Sequence, residues 1–370
     1  MKKLLAGVVV ILLIAAAWYL YKGDNTLPAP ATDSENLNTL LRGAPVNRIN
    51  LNLSTTDTLI IPVEQLFTTN FISDEMLQPF SSTQAINFGD YLILMEFLTD
   101  NVAAFTTDRD FVQKITNEEL SQAASITSNS DSLYIYDYGT KQIHIFDSDL
   151  SYQRSFPFDA PYYTQGSLKV NEKHIAYQRE DASGFRLTDS GVNRLLSIAP
   201  IEQPESTIAD LIPRIVPSGK HPGGFNNLLF SMNGRSDVVS SFPALPYLFV
   251  YRNYEQYRNI LLVSSTYEEI DNPDLTPFQP VMGKAVRISD LMDDLYLMDN
   301  GDILLFSFGQ LNHIQLQRNG EYIFNQSYVL KRGDSGEVIQ SISSIDGSSG
   351  QPRTFYIVSS GVLFEVELPG

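Results

Sequence analysis

The sequence predicts an all-β fold, and three observations lead to that prediction. From Asn47 to the C-terminus the chain consists of short apolar runs separated by Gly, Pro, Asn and Asp, with almost no long segment of helical periodicity. A pattern of strands and turns recurs after 41 and then after 42 residues. Many runs are apolar at successive positions, as at Leu133-Tyr134-Ile135-Tyr136, which predicts strands that are buried on both faces.

The composition allows a large folded core and excludes several functional classes. The chain has 370 residues, of which 43% are hydrophobic and 18% charged, so it is neither disordered nor fibrous. After position 23 there are 22 basic and 43 acidic residues, a net charge of −21, which excludes nucleic acid as a partner because phosphates require a basic surface. Cysteine is absent, which excludes disulfides, thiolate metal ligands, a cysteine nucleophile and the lipid-bearing cysteine of a bacterial lipoprotein.

Residues 1–23 are predicted to form one signal-anchor or transmembrane helix. Two lysines precede an uncharged apolar run from Leu4 to Tyr21, which would span roughly 27 Å as a helix. A cleaved signal peptide is the alternative, because the three alanines at 15–17 are small residues of the kind that a signal peptidase accepts. The run continues through Trp18, and aromatic residues of this kind lie at membrane interfaces, which favours an uncleaved anchor.

The charges that flank this segment predict its orientation. Lysines on its N-terminal side and acidic residues on the other place the N-terminus in the cytoplasm and the rest of the chain outside. We therefore expect a single-pass protein of the inner (cytoplasmic) membrane with a periplasmic C-terminal domain.

Residues 24–45 contain prolines and asparagines and little apolar periodicity, so they are predicted to be a flexible linker to a domain at 46–370.

The clearest repeat aligns residues 92–115 with residues 133–156 without a gap. Four aligned pairs are identical: Leu92/Leu133, Thr99/Thr140, Phe105/Phe146 and Asp108/Asp149. Each copy reads as strand, turn, strand, turn, strand, and a short strand before it makes four. A repeat of about forty residues with four strands has the size and content of a β-propeller blade.

Further copies extend the predicted propeller to six blades. They begin at Ile175, near Leu228 and at Leu295, and the last of these contains two Asn-Gly pairs that predict hairpins. The sixth copy has only three strands, so we expect an N-terminal strand, at 49–53 or 59–63, to complete it and close the ring. A two-sheet sandwich is the alternative, but it would show strict alternation of apolar and polar residues.

The segment Leu133 to Phe146 (LYIYDYGTKQIHIF) resembles NHL-repeat propellers. The whole pattern is similar to the six-bladed propeller proteins that bacteria export and often attach to membranes. The resemblance implies the propeller fold and a tendency to bind ligands or partners across one face of the ring. The lipid-anchored members carry a cysteine that this chain lacks, so a protein anchor is expected instead.

The lengths of the connections indicate where a binding site would lie. In a four-stranded blade, the connection from strand two to strand three and the passage to the next blade emerge on one face, which we call the long-loop face. The other two connections emerge on the opposite, short-turn face. Three long insertions, at about 200–223, 231–246 and 265–285, are assigned to the long-loop face and predict a recognition surface there.

Six residues of that face are candidates for binding. Two tyrosines could stack on a ligand, two residues form a charged tip, and an arginine with a histidine could meet an anionic group, although turn or solvated roles remain the alternative. The tyrosines are Tyr162 and Tyr163, the charged tip contains Arg179 and Asp181, and the third pair is Arg214 and His221. His144 is interpreted as a packed strand residue, and Asp290, Asp293 and Asp294 as a solvated acidic turn.

No common enzyme motif occurs in the sequence. HExxH, GxSxG and the phosphate-binding GxxxxGK[ST] are all absent, and we predict no catalytic residue, no cofactor and no metal ligand. The favoured interpretation is a non-catalytic binding or scaffold module for an envelope protein, peptide or glycan on the long-loop face. The alternative is a metal-dependent propeller hydrolase or lyase, similar to a lactonase, with Glu, Asn and Asp ligands dispersed over the innermost strands.

Overall fold

The computed structural model describes most of the predicted domain. The described residues are 46–52, 59–67, 83–108, 110–158, 168–180, 194–204, 206, 208–211, 229–241, 247–252, 259–266, 292–307, 309–333, 335–348 and 351–369. All regular elements among them are β-strands, which confirms the all-β prediction. These residues include no helix that is long and apolar enough to span a membrane. The predicted anchor at 1–23 and linker at 24–45 lie outside the described residues.

The strands follow one another in consecutive antiparallel sheets, which we number I to VI. Two N-terminal strands come first: β1 (Val46–Asn52) and β2 (Leu59–Phe67). Sheet I contains β3 (Gln84–Phe88), β4 (Tyr91–Met95), β5 (Val102–Thr106) and β6 (Phe111–Lys114). Sheet II contains β7 (Ala123–Ser128), β8 (Ser132–Asp137), β9 (Gln142–Asp147) and β10 (Tyr152–Pro157). Sheet III contains β11 (Leu168–Val170), β12 (His174–Glu180), β13 (Arg194–Pro200) and β14 (Ala209–Leu211).

The remaining sheets complete the chain. Sheet IV contains β15 (Leu229–Met232), β16 (Val238–Ser241), β17 (Tyr247–Tyr251) and β18 (Asn259–Thr266). Sheet V contains β19 (Met292–Leu297), β20 (Ile303–Ser307), β21 (Gln310–Leu316) and β22 (Tyr322–Arg332). Sheet VI contains β23 (Ser344–Ser348), β24 (Gln351–Ser359) and β25 (Val362–Glu367).

The sequence repeat corresponds to the central hairpin of sheets I and II. Leu92 on β4 lies opposite Phe105 on β5, and Leu133 on β8 lies opposite Phe146 on β9. All four side chains are buried. The repeat therefore preserves one cross-strand apolar pair, which is the unit by which neighbouring strands stabilise a sheet.

The first strands of the sheets contact one another in a closed cycle. β3 contacts β7, and the contacts continue through β11, β15, β19 and β23 back to β3. Apolar side chains of sheet VI, among them Val358 and Leu363, also pack against Leu94 and Phe105 of sheet I. The sheets therefore stand around a common axis in a propeller-like arrangement, with the first strand of each sheet innermost.

The N-terminal segment runs along the outer edges of the last three sheets. β1 pairs in parallel with β18, and the first half of β2, residues 59–63, pairs in parallel with β22. The second half of β2, from Glu64 to Phe67, pairs antiparallel with β25. β2 thereby joins sheets V and VI into one eight-stranded sheet.

The strand that pairs with sheet VI differs in detail from the sequence-based expectation. The sequence predicts that segment 49–53 or segment 59–63 completes sheet VI. Instead, β1 adds an outer strand to sheet IV, and residues 59–63 of β2 add one to sheet V. After Pro62 the chain continues into its second pairing, with β25. Proline lacks an amide hydrogen, and it is tolerated at position 62 because residues 59–63 form an edge strand of sheet V.

Two of the three predicted insertions are partly regular structure. Segment 231–246 contains the end of β15, a tight turn and β16. The polar composition of this turn is typical of a loop. In the structure, Asn233 Oδ1 accepts the amides of Arg235 at 3.1 Å and Asp237 at 3.0 Å, and these bonds form an Asx turn. Segment 200–223 contains β14, and its first part, 201–208, is the connection to that strand on the short-turn face.

Candidate functional site

The structure describes only one of the six candidate binding residues. Arg179 lies on β12, where its backbone pairs with Leu195 of β13 one residue before the strand ends. The other five, Tyr162, Tyr163, Asp181, Arg214 and His221, lie outside the described residues. No contact among the six is therefore described.

A ladder of asparagines fixes which connections share a face. Asn129, Asn171 and Asn233 each follow the first strand of their sheet. Asn129 Nδ2 is 3.5 Å from the carbonyl oxygen of Asn171, and Asn171 Nδ2 donates to that of Asn233 at 3.3 Å. Asn233 Nδ2 then donates to the carbonyl oxygen of Met298 in sheet V at 3.2 Å. The turns after the first strands of sheets II to V therefore lie together on the short-turn face.

The two faces differ strongly in the length of their connections. On the short-turn face, every connection between consecutive strands has eight residues or fewer. On the opposite face, four connections are much longer: 68–83, 181–193, 212–228 and 267–291, with 16, 13, 17 and 25 residues. The first is the passage from β2 to sheet I, and the other three belong to sheets III and IV and to the passage into sheet V, so those three are neighbours along the ring. Long connections in a compact domain commonly carry function.

The innermost strands are held together by side chains that bind the next sheet. An innermost strand has no further strand to pair with, so its inward-facing amides need other acceptors. Gln84 of β3 both accepts from the amide of Ile126, at 3.1 Å, and donates to its carbonyl oxygen, at 2.8 Å. Ser231 Oγ accepts the amide of Leu297 at 3.0 Å, and Asp294 Oδ2 accepts that of Ile345, also at 3.0 Å.

Asp293 and Asp294 do not form the solvated turn that the sequence indicated. Both lie within β19, and Asp293 Oδ2 accepts the amide of Ile342 at 2.8 Å. Burial raises the pKa of each carboxyl to about 6, although hydrogen bonds from backbone amides oppose the shift. Acidic residues next to one another look like a surface turn in a sequence, and only the ring shows that they meet the free edge of sheet VI.

The axis carries charges of both signs. Asp294 on β19 and Asp346 on β23 are half-buried, and burial raises the pKa of both carboxyls. Lys169 on β11 attracts both carboxylates and partly offsets that shift. Ser125 on β7 and Ser344 on β23 have buried hydroxyls without a hydrogen-bond partner. Among the described residues, no three His, Cys, Asp or Glu side chains are arranged to hold a metal ion.

Comparison with protein-family models gives no match, and comparison with curated proteins gives none either. Among solved structures, the chain is similar to a Bacteroides fragilis protein described as exported, with 11% identity and a TM-score of 0.48 over 88% of this chain and 99% of that one. It is also similar to a chain in the mitotic checkpoint complex, with 11% identity and a TM-score of 0.47 over 94% and 98%. At these scores neither likeness assigns a family or an activity.

Proposed function

We propose that the chain is a membrane-tethered, six-bladed propeller that acts outside the cytoplasm as a non-catalytic binding or scaffold module. Sheets I to V each supply four antiparallel strands, and β2 adds a fourth strand to sheet VI. The closed cycle of innermost strands supports a ring of these six blades. The NHL-like character of residues 133–146 is part of the same proposal.

The difference between the two faces is the observation that carries the binding function. Short connections like those on the short-turn face are sufficient to join the strands of a folded ring. The long connections of sheets III to V instead enlarge one face over adjacent blades. We propose that this surface contacts an envelope protein, peptide or glycan.

The candidate binding residues belong to this surface by their position in the chain. Tyr162 and Tyr163 fall between β10 and β11, and Asp181 directly follows β12, which carries Arg179. Arg214 and His221 fall between β14 and β15. Each of these positions is in, or next to, a connection of the long-loop face, so we propose all six as contact residues.

Location outside the cytoplasm rests on the N-terminal sequence. The apolar run from Leu4 to Tyr21, with lysines before it and acidic residues after it, supports a helix at 1–23 that anchors the protein in the inner membrane. Residues 24–45 would then hold the propeller away from the bilayer.

Crosslinking in intact cells tests this function. The full chain, with a photoreactive residue at position 221, is compared with a variant in which 214–226 is replaced by a short Gly-Ser linker and the photoreactive residue is at 179. A matched control shortens 203–207 on the short-turn face. We expect one envelope partner that is lost on shortening 214–226 and retained in the control.

Two results would contradict the proposal. One is recovery of the same partner in equal yield from both shortened variants. The other is stoichiometric calcium or zinc in the purified protein together with an esterase or lactonase activity that disappears when the metal is removed, which would favour the hydrolase alternative.

A further inference from the structure

A cavity of about 740 Å³ lies between sheets V and VI on the short-turn face, opposite the surface proposed above. We call it the V–VI groove. One wall comes from sheet V, with His313 and Gln315 on β21 and Asn325 on β22, and the other comes from sheet VI, with Gln351 and Arg353 on β24. The volume falls in the range of about 300–1,000 Å³ that is typical of small-molecule sites.

The gap between sheets II and III is filled, in contrast to this opening. Between sheets II and III, Tyr136, Phe158 and Tyr177 pack edge to face, with ring centroids 5.6 and 4.7 Å apart. Large aromatic side chains fill the space between sheets that diverge outward from an axis. Between sheets V and VI the apolar cluster is continuous deeper in the protein, but polar side chains replace it near the short-turn face and leave the space open.

Carboxamides are the characteristic side chains of the groove. Five line it: Asn300, Gln315, Asn325, Gln326 and Gln351. A carboxamide offers hydrogen-bond donors and an acceptor on one planar group. Four of the five also hydrogen-bond within the protein: Asn300, Gln315, Asn325 and Gln326. Each carboxamide has two N–H donors and two acceptor lone pairs, so the remaining ones match a ligand that carries hydroxyls, which are also both donor and acceptor.

Asp302 and His313 of the sheet V wall compensate each other within the wall, and the carboxyl of Asp299 also lines it. Asp302 Oδ2 is 2.9 Å from His313 Nε2, and Asp302 Oδ1 accepts the amide of Leu316 at 2.8 Å. Burial opposes ionisation of Asp302, but these hydrogen bonds outweigh it and hold the pKa of the carboxyl below its usual value. His313 Nδ1 is in turn 3.0 Å from Asn325 Nδ2. This arrangement gives an anionic ligand no concentrated positive charge to meet on this wall.

An aromatic surface forms the inner end of the groove. Tyr296 and Phe355 both line it and pack edge to face with centroids 5.7 Å apart. Gly347 makes this possible, because a Cβ at that position would lie only 2.8 Å from Cζ of Tyr296. Phe355 is buried at 1% exposure, so the half-buried ring of Tyr296 is the one that can meet the C–H face of a sugar ring while the carboxamides bind its hydroxyls.

From these features we propose that the V–VI groove binds a neutral oligosaccharide. A peptide fits less well, because extended peptides bind to sheet edges through backbone hydrogen bonds. His313 and Gln315 are two residues apart on one strand, so this wall is a sheet face that presents side chains. The site is separate from the long-loop face and does not depend on a partner there.

Binding to a panel of defined compounds tests the proposal. The purified full chain, in a detergent without a sugar headgroup, is applied to an array of neutral oligosaccharides of glucose, mannose, galactose, xylose and N-acetylglucosamine, with acidic oligosaccharides and random peptides for comparison. The best soluble ligand is then titrated by calorimetry. We expect a neutral oligosaccharide to bind, and Gln315→Ala or Gln351→Ala to weaken its affinity by about threefold to tenfold each, since each removes one or two hydrogen bonds.

Gln203→Ala is the matched control, because Gln203 is an exposed glutamine in the turn between β13 and β14 of sheet III. It should leave the affinity unchanged, and so should replacement of 214–226 on the opposite face. The proposal is overturned if no neutral oligosaccharide binds, or if binding survives both groove substitutions. It is also overturned if peptides or acidic oligosaccharides bind at the groove in preference.

Discussion

Single polar residues in this protein bind backbone groups that the sheets leave unpaired, and their positions follow from the ring. His144, by contrast, binds another side chain. Its place between two isoleucines indicated a packed residue, and the structure buries it completely, with Nδ1 2.8 Å from Asn117 Nδ2. The partner could not be predicted, because Asn117 lies in the connection from sheet I to sheet II and is distant in the sequence.

The sequence indicates a solvated turn at Asp294, but the structure places this residue within β19. This difference between sequence and structure has the largest physical consequence. Burial raises its pKa to about 6 from the ordinary value of 3.8, so the folded state binds a proton more tightly than the unfolded state does. The stability that this carboxyl contributes is therefore complete below about pH 4 and is lost as the pH rises through about 6.

Asp294→Asn should remove this loss. The asparagine keeps an oxygen that can accept the amide of Ile345 but never carries the charge. We expect the variant to be about 2 kcal/mol more stable than the wild type at pH 7.5, with little difference at pH 4, by urea unfolding across that range. Asp131→Asn, at an exposed turn of sheet II, is the control and should not change the pH profile. Identical profiles for the wild type and Asp294→Asn would show that folding does not raise the pKa of this carboxyl.

At the scale of elements, the asparagine ladder joins turns that belong to different sheets. Asn171 Oδ1 accepts the amides of Lys173 at 3.0 Å and His174 at 2.8 Å within its own turn. Its amide group reaches Asn233 in the next sheet. One side chain therefore stabilises both a turn and the contact between two sheets.

Asn171→Ala should destabilise the protein by about 2–3 kcal/mol, because it removes the turn bonds and the bond to the next sheet from a buried site. Asn319→Ala is the matched control. Asn319 Oδ1 accepts the amide of Glu321 at 3.0 Å and its Nδ2 donates to Glu321 Oε2 at 2.7 Å. Both bonds lie within one exposed turn and join no second sheet, so their loss should cost about 1 kcal/mol or less. Chemical denaturation measures both changes. Equal effects of the two substitutions would contradict the role of the ladder in joining sheets.

The sequence predicts some elements better than others for a physical reason. Central strands such as β4 and β8 are apolar on both faces and recur in register, so their number and position could be predicted. β1 and β2 were recognised as strands, but their partners were not, because an added parallel strand at an outer edge leaves no local pattern in the sequence. The segment around 233–237 was interpreted as an insertion because a turn capped by Asn233 has the same composition as a loop.

At the scale of the whole molecule, the arrangement depends on how the two ends of the domain meet. The sequence predicted that an N-terminal strand would complete the last sheet, and β2 pairs with β25 through Glu64 and Gln65. Two buried residues earlier in β2, Ile61 and Val63, belong to the apolar cluster between sheets V and VI. The contact combines backbone pairing with burial of apolar surface, and it links residues about 300 positions apart, a separation that slows folding.

The chain's lack of cysteine allows a direct test of this closure, because any disulfide must come from introduced residues. Glu64 lies opposite Glu365 across the β2–β25 pair, and Thr354 lies opposite Glu367 within the neighbouring hairpin. Glu64→Cys with Glu365→Cys is the test pair, and Thr354→Cys with Glu367→Cys is the positive control. Residues directly opposite in antiparallel strands are about 4.5–5.5 Å apart, which is within disulfide range.

The decisive measurement is the oxidation of the native test pair, followed by non-reducing electrophoresis and by mass spectrometry of the linked peptides. We predict that residues 64 and 365 become linked within one chain as completely as the control pair. A control pair that oxidises while residues 64 and 365 stay reduced, or link only between different chains, would contradict the closed ring.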